Sequence, residues 1–296
     1  MGSPGIGVAR GYRAAGCWQE DSARSIIAAV PRSLADTFAQ LKQKKQIAFM
    51  PFVPAGYPDL ATTGKLLPAM EAAGANIIEI GIPFSDPIAD GPVIQEAFTA
   101  ALAKKLKLSG VFDMVKQARS SVSIPLVAMV SYSIAYRQGI ERFAATMKES
   151  GFDGLILPDL PPPEAGAICK KVQAAGLDTI LLVAPTTSPA RRKEIGQLSS
   201  GFIYYLSITG ITGERNELPR ELADGVKNMK SLSDRPVCVG FGISNARHVS
   251  QLKGVADGAI VGSGVVRRMQ QNESKGPDAI IRAVSDYCRE LLSDAR

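Results

Sequence analysis

The chain's 296 residues, 46% of them apolar and 21% charged, are enough to bury the core of one barrel-sized domain. The net charge of +6 comes from basic residues dispersed among acids, with no aromatic-interleaved basic stripe, which argues against nucleic acid and for a solvated surface attractive to anionic metabolites. Cys17, Cys169, Cys238 and Cys288 lack metal-ligand spacing, no apolar stretch is long enough to span a membrane, and the one histidine, His248, reads as a surface residue.

Residues 1–32 are rich in Gly, Ala, Ser and Arg, contain Trp18, and show no period. They lack the long apolar core of a secretory signal. Arg10, Arg13, Arg24 and Arg32 have the look of an organelle transit peptide, which Glu20 and Asp21 oppose. The myristoylation pattern fails at Ile6. The expectation is a disordered extension over 1–32, a domain over 33–296, and a cytoplasmic location with organelle import as the alternative. A helix is expected over Ser33–Lys45, with Ser33 as N-cap and Leu34, Phe38 and Leu41 on one face.

From Ile47 a unit recurs in which a helix ends at glycine, a polar residue follows, and an apolar run begins. It reads Gly74-Ala75-Asn76, Gly151-Phe152-Asp153, Gly176-Leu177-Asp178 and, more loosely, Gly254-Val255-Ala256-Asp257. Glycine suits the left-handed position that ends a helix. The runs do not alternate, as befits strands covered on both faces. Eight candidates follow: Ala48–Val53, Ile77–Ile80, Leu126–Val130, Gly154–Leu157, Thr179–Val183, Phe202–Leu206, Val237–Gly240 and Ala259–Val261. Helical stretches separate them. Asp59 is a cap for the first, Leu66, Met70 and Ala73 line its inner face, and Pro68 should kink it. Eight such units predict a single (β/α)8 barrel. An open doubly wound sheet ranks lower, because no dinucleotide fingerprint follows the first strand.

The stretch Ile77–Pro92 stands out. Glu79 lies inside an apolar run, and Asp86 and Asp90 follow among prolines and glycines. An ionised carboxylate is expensive to bury. Either Glu79 has a hidden partner, a Tyr hydroxyl or a Lys, or it faces a cleft and moves protons with a pKa raised by desolvation. A base of that kind should lose activity as pH drops through its pKa. The segment from Gly81 to Pro92 is long for a strand-to-helix connection and reads as a lid or binding loop. Gly210–Gly213, Gly240–Ser244 and Gly262–Gly264 follow the last three strands. Each could be mere turn geometry. Together, at the usual phosphate site of this fold, they point to a phosphate ester. With no metal cluster or redox motif in the sequence, an isomerase or lyase fits better than an oxidoreductase.

Phe49–Asp59 and Glu79–Pro92 resemble the opening strand and the most specific motif of the tryptophan synthase alpha chain family, and the later glycine loops fall in family order. The resemblance runs from about Ser33 to Met269 and on towards the last helix. It implies cofactor-free retro-aldol cleavage of indole-3-glycerol phosphate to indole and glyceraldehyde 3-phosphate. It also implies a pyridoxal-phosphate beta chain that receives the indole in an α2β2 tetramer. By position, Glu79 would be the general acid–base and Asp90 would hold the indole N–H. Phe52 would line the indole pocket, with Tyr204 near the catalytic carboxylate. Gly213, Gly242, Gly262 and Ser263 would hold the phosphate, and Asp86 would meet the partner. The sequence departs from the family at Ser133-Ile134, after Tyr132, and at Ile208. A stand-alone lyase and a non-catalytic subunit are the competing readings.

Overall fold

The computed structural model describes residues 1–2, 33–87, 90–207, 220–240 and 242–293. Its strands are β1 (Ala48–Pro54), β2 (Ile78–Gly81), β3 (Leu126–Met129), β4 (Gly154–Ile156), β5 (Asp178–Val183), β6 (Ile203–Leu206), β7 (Val237–Gly240) and β8 (Gly258–Val261). They pair in parallel and close in chain order, β8 returning to β1. The described α-helices are α1 (Leu34–Gln43), α2 (Leu60–Ala72), α3 (Pro92–Ala103), α4 (Leu108–Ala118), α5 (Tyr132–Gln138) and α6 (Ile140–Glu149). After them come α7 (Ala165–Ala174), α8 (Pro189–Leu198), α9 (Arg220–Leu232), α10 (Ala246–Leu252), α11 (Ser263–Asn272) and α12 (Pro277–Leu291). This is the (β/α)8 barrel that the sequence predicts.

The lack of alternation in the apolar runs now has a cause. Ala48, Met50, Ile77, Val127, Ile156, Ile180, Tyr204, Cys238 and Ile260 share one buried cluster inside the barrel. Their strand neighbours, such as Phe49, Val53, Ile78, Ile80 and Leu126, join a second cluster with the helices. Both faces of each strand are therefore buried, but by different layers. Helix α1 joins the inner cluster through Leu34, Phe38 and Leu41, with Phe38 5.9 Å from Phe202. It closes the end of the barrel opposite the strand C-termini. Ser33 caps it, accepting the Asp36 N–H at 3.0 Å.

The recurring glycine–Asx unit also has a physical role. The Asn76 side chain accepts the Phe49 N–H at 2.9 Å, while its own N–H donates to the Phe49 carbonyl at 2.9 Å. Asp153 does the same for Leu126 and Asp257 for Val237. Each polar residue thus extends strand pairing by one rung where the ladder begins and satisfies an N–H that burial would otherwise orphan. Asp178 departs from the pattern: it accepts the Ser200 hydroxyl, which accepts the Thr179 N–H. The preceding Gly74, Gly151, Gly176 and Gly254 all have positive φ.

Several boundaries shift by a residue from expectation. The second strand starts at Ile78 rather than Ile77, and the third ends at Met129. Asp59 caps α2, accepting the Thr62 N–H at 2.7 Å. Pro68 sits within α2, which continues through it to Ala72. His248 corrects the sequence reading: it is buried, at 5% exposure. Asn245 caps α10 by accepting the His248 backbone N–H, and this turns the ring towards Ser244, whose N–H reaches Nδ1 at 3.4 Å. Cys169, Cys238 and Cys288 are free, buried thiols. Cys17 and most of the expected 1–32 extension lie outside the described residues. Among the described residues no helix is long and apolar enough to cross a membrane.

Candidate active site

Strand β2 places Glu79 beside Phe52 of β1 and Val127 of β3 in the parallel register. Ile77, two residues earlier, belongs to the inner cluster, so the period of two turns Glu79 into the barrel as well. Its exposure is 2%, and neither carboxyl oxygen has a hydrogen-bond partner among the described residues. The hidden-partner alternative therefore has no support here. Burial, followed by the charge of Asp90, pushes the Glu79 carboxyl up to about 8. Asp90, half-buried, is pushed up to about 6 by burial. Glu79 senses the charge of Asp90, and Tyr204 senses both carboxylates. The Tyr204 hydroxyl is held well above its ordinary value, first by burial and then by Glu79 and Asp90. The structure thus gathers three of the candidate residues into one electrostatic unit near the C-terminal ends of the strands.

The sequence reading did not single out Gln95. From the first turn of α3 its Nε2 donates to the Asp90 carbonyl at 2.8 Å and to the Pro87 carbonyl at 3.2 Å. The Asp90 N–H closes a turn onto Pro87 at 3.0 Å. This clamp fixes the end of the long loop. Its only signal in the sequence is an amide in the first turn after a Pro-Gly-rich loop. Asp86 is exposed and accepts the Ser85 hydroxyl at 2.6 Å, apart from the buried carboxylates.

Phe52, 2% exposed, forms an aromatic wall with Phe98 at 6.4 Å, and Phe98 meets Phe84 at 5.9 Å. Gly81 and Gly240 make room for the site's rings. A Cβ at Gly81 would overlap Phe52, and one at Gly240 would overlap Tyr204. Gly240→Ala should therefore drive the Tyr204 ring towards Glu79 and Asp90. The expected result is a loss of kcat/KM of at least about tenfold, with destabilisation of roughly 1–3 kcal/mol from overpacking. Steady-state assay and urea unfolding of the same preparation check it, and unchanged values on both would show that Tyr204 has slack.

On the other side, Gly242 has φ +79°, a left-handed conformation that L side chains resist. Gly262 is the N-cap of α11, whose first residue is Ser263, and among the described residues no side chain caps that helix start. An uncapped helix N-terminus favours an anion. A Cβ at Gly262 would come within 4 Å of the Phe52 side chain, so the helix start faces the aromatic wall. Gly213, with the rest of Gly210–Gly213 and Ile208, lies outside the described residues.

Fold and site together define a (β/α)8 enzyme with a buried, protonatable carboxylate inside the mouth of its barrel. A family model described as tryptophan synthase alpha chain matches residues 38–295. The tryptophan synthase alpha chain of Rippkaea orientalis is 40% identical over 260 residues, covering 88% of this chain and 96% of that one. A mutant tryptophan synthase alpha-subunit from Pyrococcus furiosus superposes with a TM-score of 0.77 at 37% identity, over 84% of this chain and 98% of that one. Tryptophan synthase from M. tuberculosis in its aminoacrylate-bound form gives 0.78 at 31% identity, over 90% and 100%. The chain belongs to the tryptophan synthase alpha chain family. It is a lyase of tryptophan biosynthesis that cleaves indole-3-glycerol phosphate to indole and glyceraldehyde 3-phosphate.

Proposed function

We propose that Glu79 and Asp90 carry this cleavage between them. The supporting observation is the pair of unlike environments: one carboxyl fully buried and raised to about 8, the other half-buried and raised to about 6. Near neutral pH Glu79 is then mainly the acid and Asp90 mainly the carboxylate. Two carboxyls pushed apart in this way take different roles. Glu79 gives its proton to C3 of the indole ring, and Asp90 accepts the indole N–H bond and stabilises the positive charge that develops on the ring. Glu79, now a carboxylate, takes the proton of the glycerol hydroxyl. The carbon–carbon bond breaks, its electron pair returns to the ring, and indole and the aldehyde leave. Glu79 ends protonated, ready for another turn. Because it starts as an acid, its limb in the pH profile falls on the alkaline side, not on the acidic side expected of a resting base.

In this reading Phe52 lines the indole pocket, Tyr204 packs beside the carboxylates, and Gly213, Gly242, Gly262 and Ser263 hold the phosphate. Asp86 meets the partner. The alpha chain pairs with a beta chain, and the assembly here is an α2β2 tetramer with pyridoxal phosphate confined to the beta chain. Residues 33–296 form the barrel domain behind an extension over 1–32, and the location is the cytoplasm.

The test is indole release by the purified full chain, with and without a beta chain. Slow release strongly accelerated by the beta chain is expected. Fast release without stimulation would mean a stand-alone lyase, and binding without turnover in both would mean a non-catalytic subunit.

A further inference from the structure

We propose that Tyr287, on the last helix, is a positioning residue for the phosphate end of the site, its hydroxyl holding the β7 and β8 loops in one arrangement. The inference rests on the reading of Gly242, Gly262 and Ser263 as phosphate-binding. Tyr287 is 3% exposed, and its hydroxyl donates to the Ser244 carbonyl at 2.9 Å. Ser244 is two residues beyond Gly242. The same hydroxyl occupies the space that a Cβ at Gly264 would fill. Gly264 is the second residue of α11, directly after Ser263. One phenol therefore touches both loops, although it is 43 residues along the chain from Ser244.

The geometry limits what Tyr287 can do. The Arg268 guanidinium lies 4.4 Å from the ring centroid and fixes the plane of the ring from α11. Burial pushes the hydroxyl up to about 12, so it remains a donor across the working pH range. A carbonyl held by a buried donor fixes its peptide plane, and the next N–H then points the opposite way. The Ser244–Asn245 peptide is held in this manner beside the uncapped start of α11. Gly264 thus has a purpose distinct from anion binding: it makes room for the brace. Tyr287 lies behind the loops and has no part in the proton transfers.

The test uses the full chain run in the condensing direction, with indole and glyceraldehyde 3-phosphate as substrates and inorganic phosphate as competing anion. Tyr287→Phe keeps the ring and its cation–π contact and removes one hydrogen bond. The expected result is a rise in the KM for glyceraldehyde 3-phosphate and in the inhibition constant for phosphate. Both should rise together by about three- to tenfold, the equivalent of one hydrogen bond. The KM for indole and kcat should stay within about twofold. A merely structural role would move all four constants or none, and either pattern overturns the proposal. Ser263→Asp, which sets a negative charge at the helix start, is the control for the phosphate site. If it raises the phosphate constants and Tyr287→Phe does not, the brace is wrong and the site stands. If it leaves them unchanged, the site reading and the brace both fail.

Discussion

Glu79→Gln should stop indole release and at the same time make the fold more resistant to alkaline pH. The first effect follows from losing the group that gives and takes the proton, a contribution of about 10²- to 10⁴-fold for general acid–base transfer. The second follows from burial. Glu79 titrates at about 8 in the folded chain, against an ordinary value of 4.5. Between those two values the folded chain binds more protons at this position than the unfolded chain. Stability therefore falls as pH rises from about 4.5 to about 8 and levels off above that. At about 1.4 kcal/mol per pH unit, the whole effect is at most roughly 5 kcal/mol. The amide has nothing to ionise, so the stability gap between variant and parent should widen in the variant's favour between pH 5 and pH 9. Urea unfolding at the two pH values reads this directly. Parallel pH dependences together with retained indole release would remove Glu79 from both roles.

Asp90→Asn should cost kcat about 10²- to 10³-fold, the scale for removing one group aimed at a developing charge. Its effect on the pH profile is more specific. In the parent, activity should fall as pH drops through about 6, because Asp90 must be ionised to stabilise the ring cation. That limb should vanish in the amide variant. The alkaline limb should move as well. The Asp90 charge is the second cause holding Glu79 up, after burial, so removing it lets the Glu79 pKa fall and shifts the limb below about 8. A variant that keeps both limbs in place would show that the two carboxyls do not share a site.

The barrel was legible because its determinants are local. Eight apolar runs mark the strands, and the glycine–Asx unit before β2, β4, β5 and β8 marks where each begins. Strand ends drifted by a residue because they are set by a neighbour's hydrogen bonds, as when Asn76 pairs with Phe49 27 residues away. Glu79 was legible as a charge inside an apolar run. Asp90 was legible as a carboxylate in the loop after β2, but its contact with the indole N–H came only through the resemblance, and its half-buried environment depends on how the long loop folds back. The Gln95 clamp was hidden for the same reason: an amide in a helical first turn carries no mark of which carbonyls it will meet. His248 was misread because a polar segment of sequence suggested exposure, whereas the Asn245 cap fixes which way so short a helix turns its side chains. The purpose of Gly264 required a contact with Tyr287, which no spacing rule reveals.

The most direct measurement is the pH dependence of indole release from indole-3-glycerol phosphate by the full chain, taken from pH 5 to pH 9.5 beside the Glu79→Gln variant. A bell with limbs near 6 and near 8, and no release by the variant, is the expected result. A profile flat through pH 8, or a variant that still releases indole, would contradict proton transfer by Glu79.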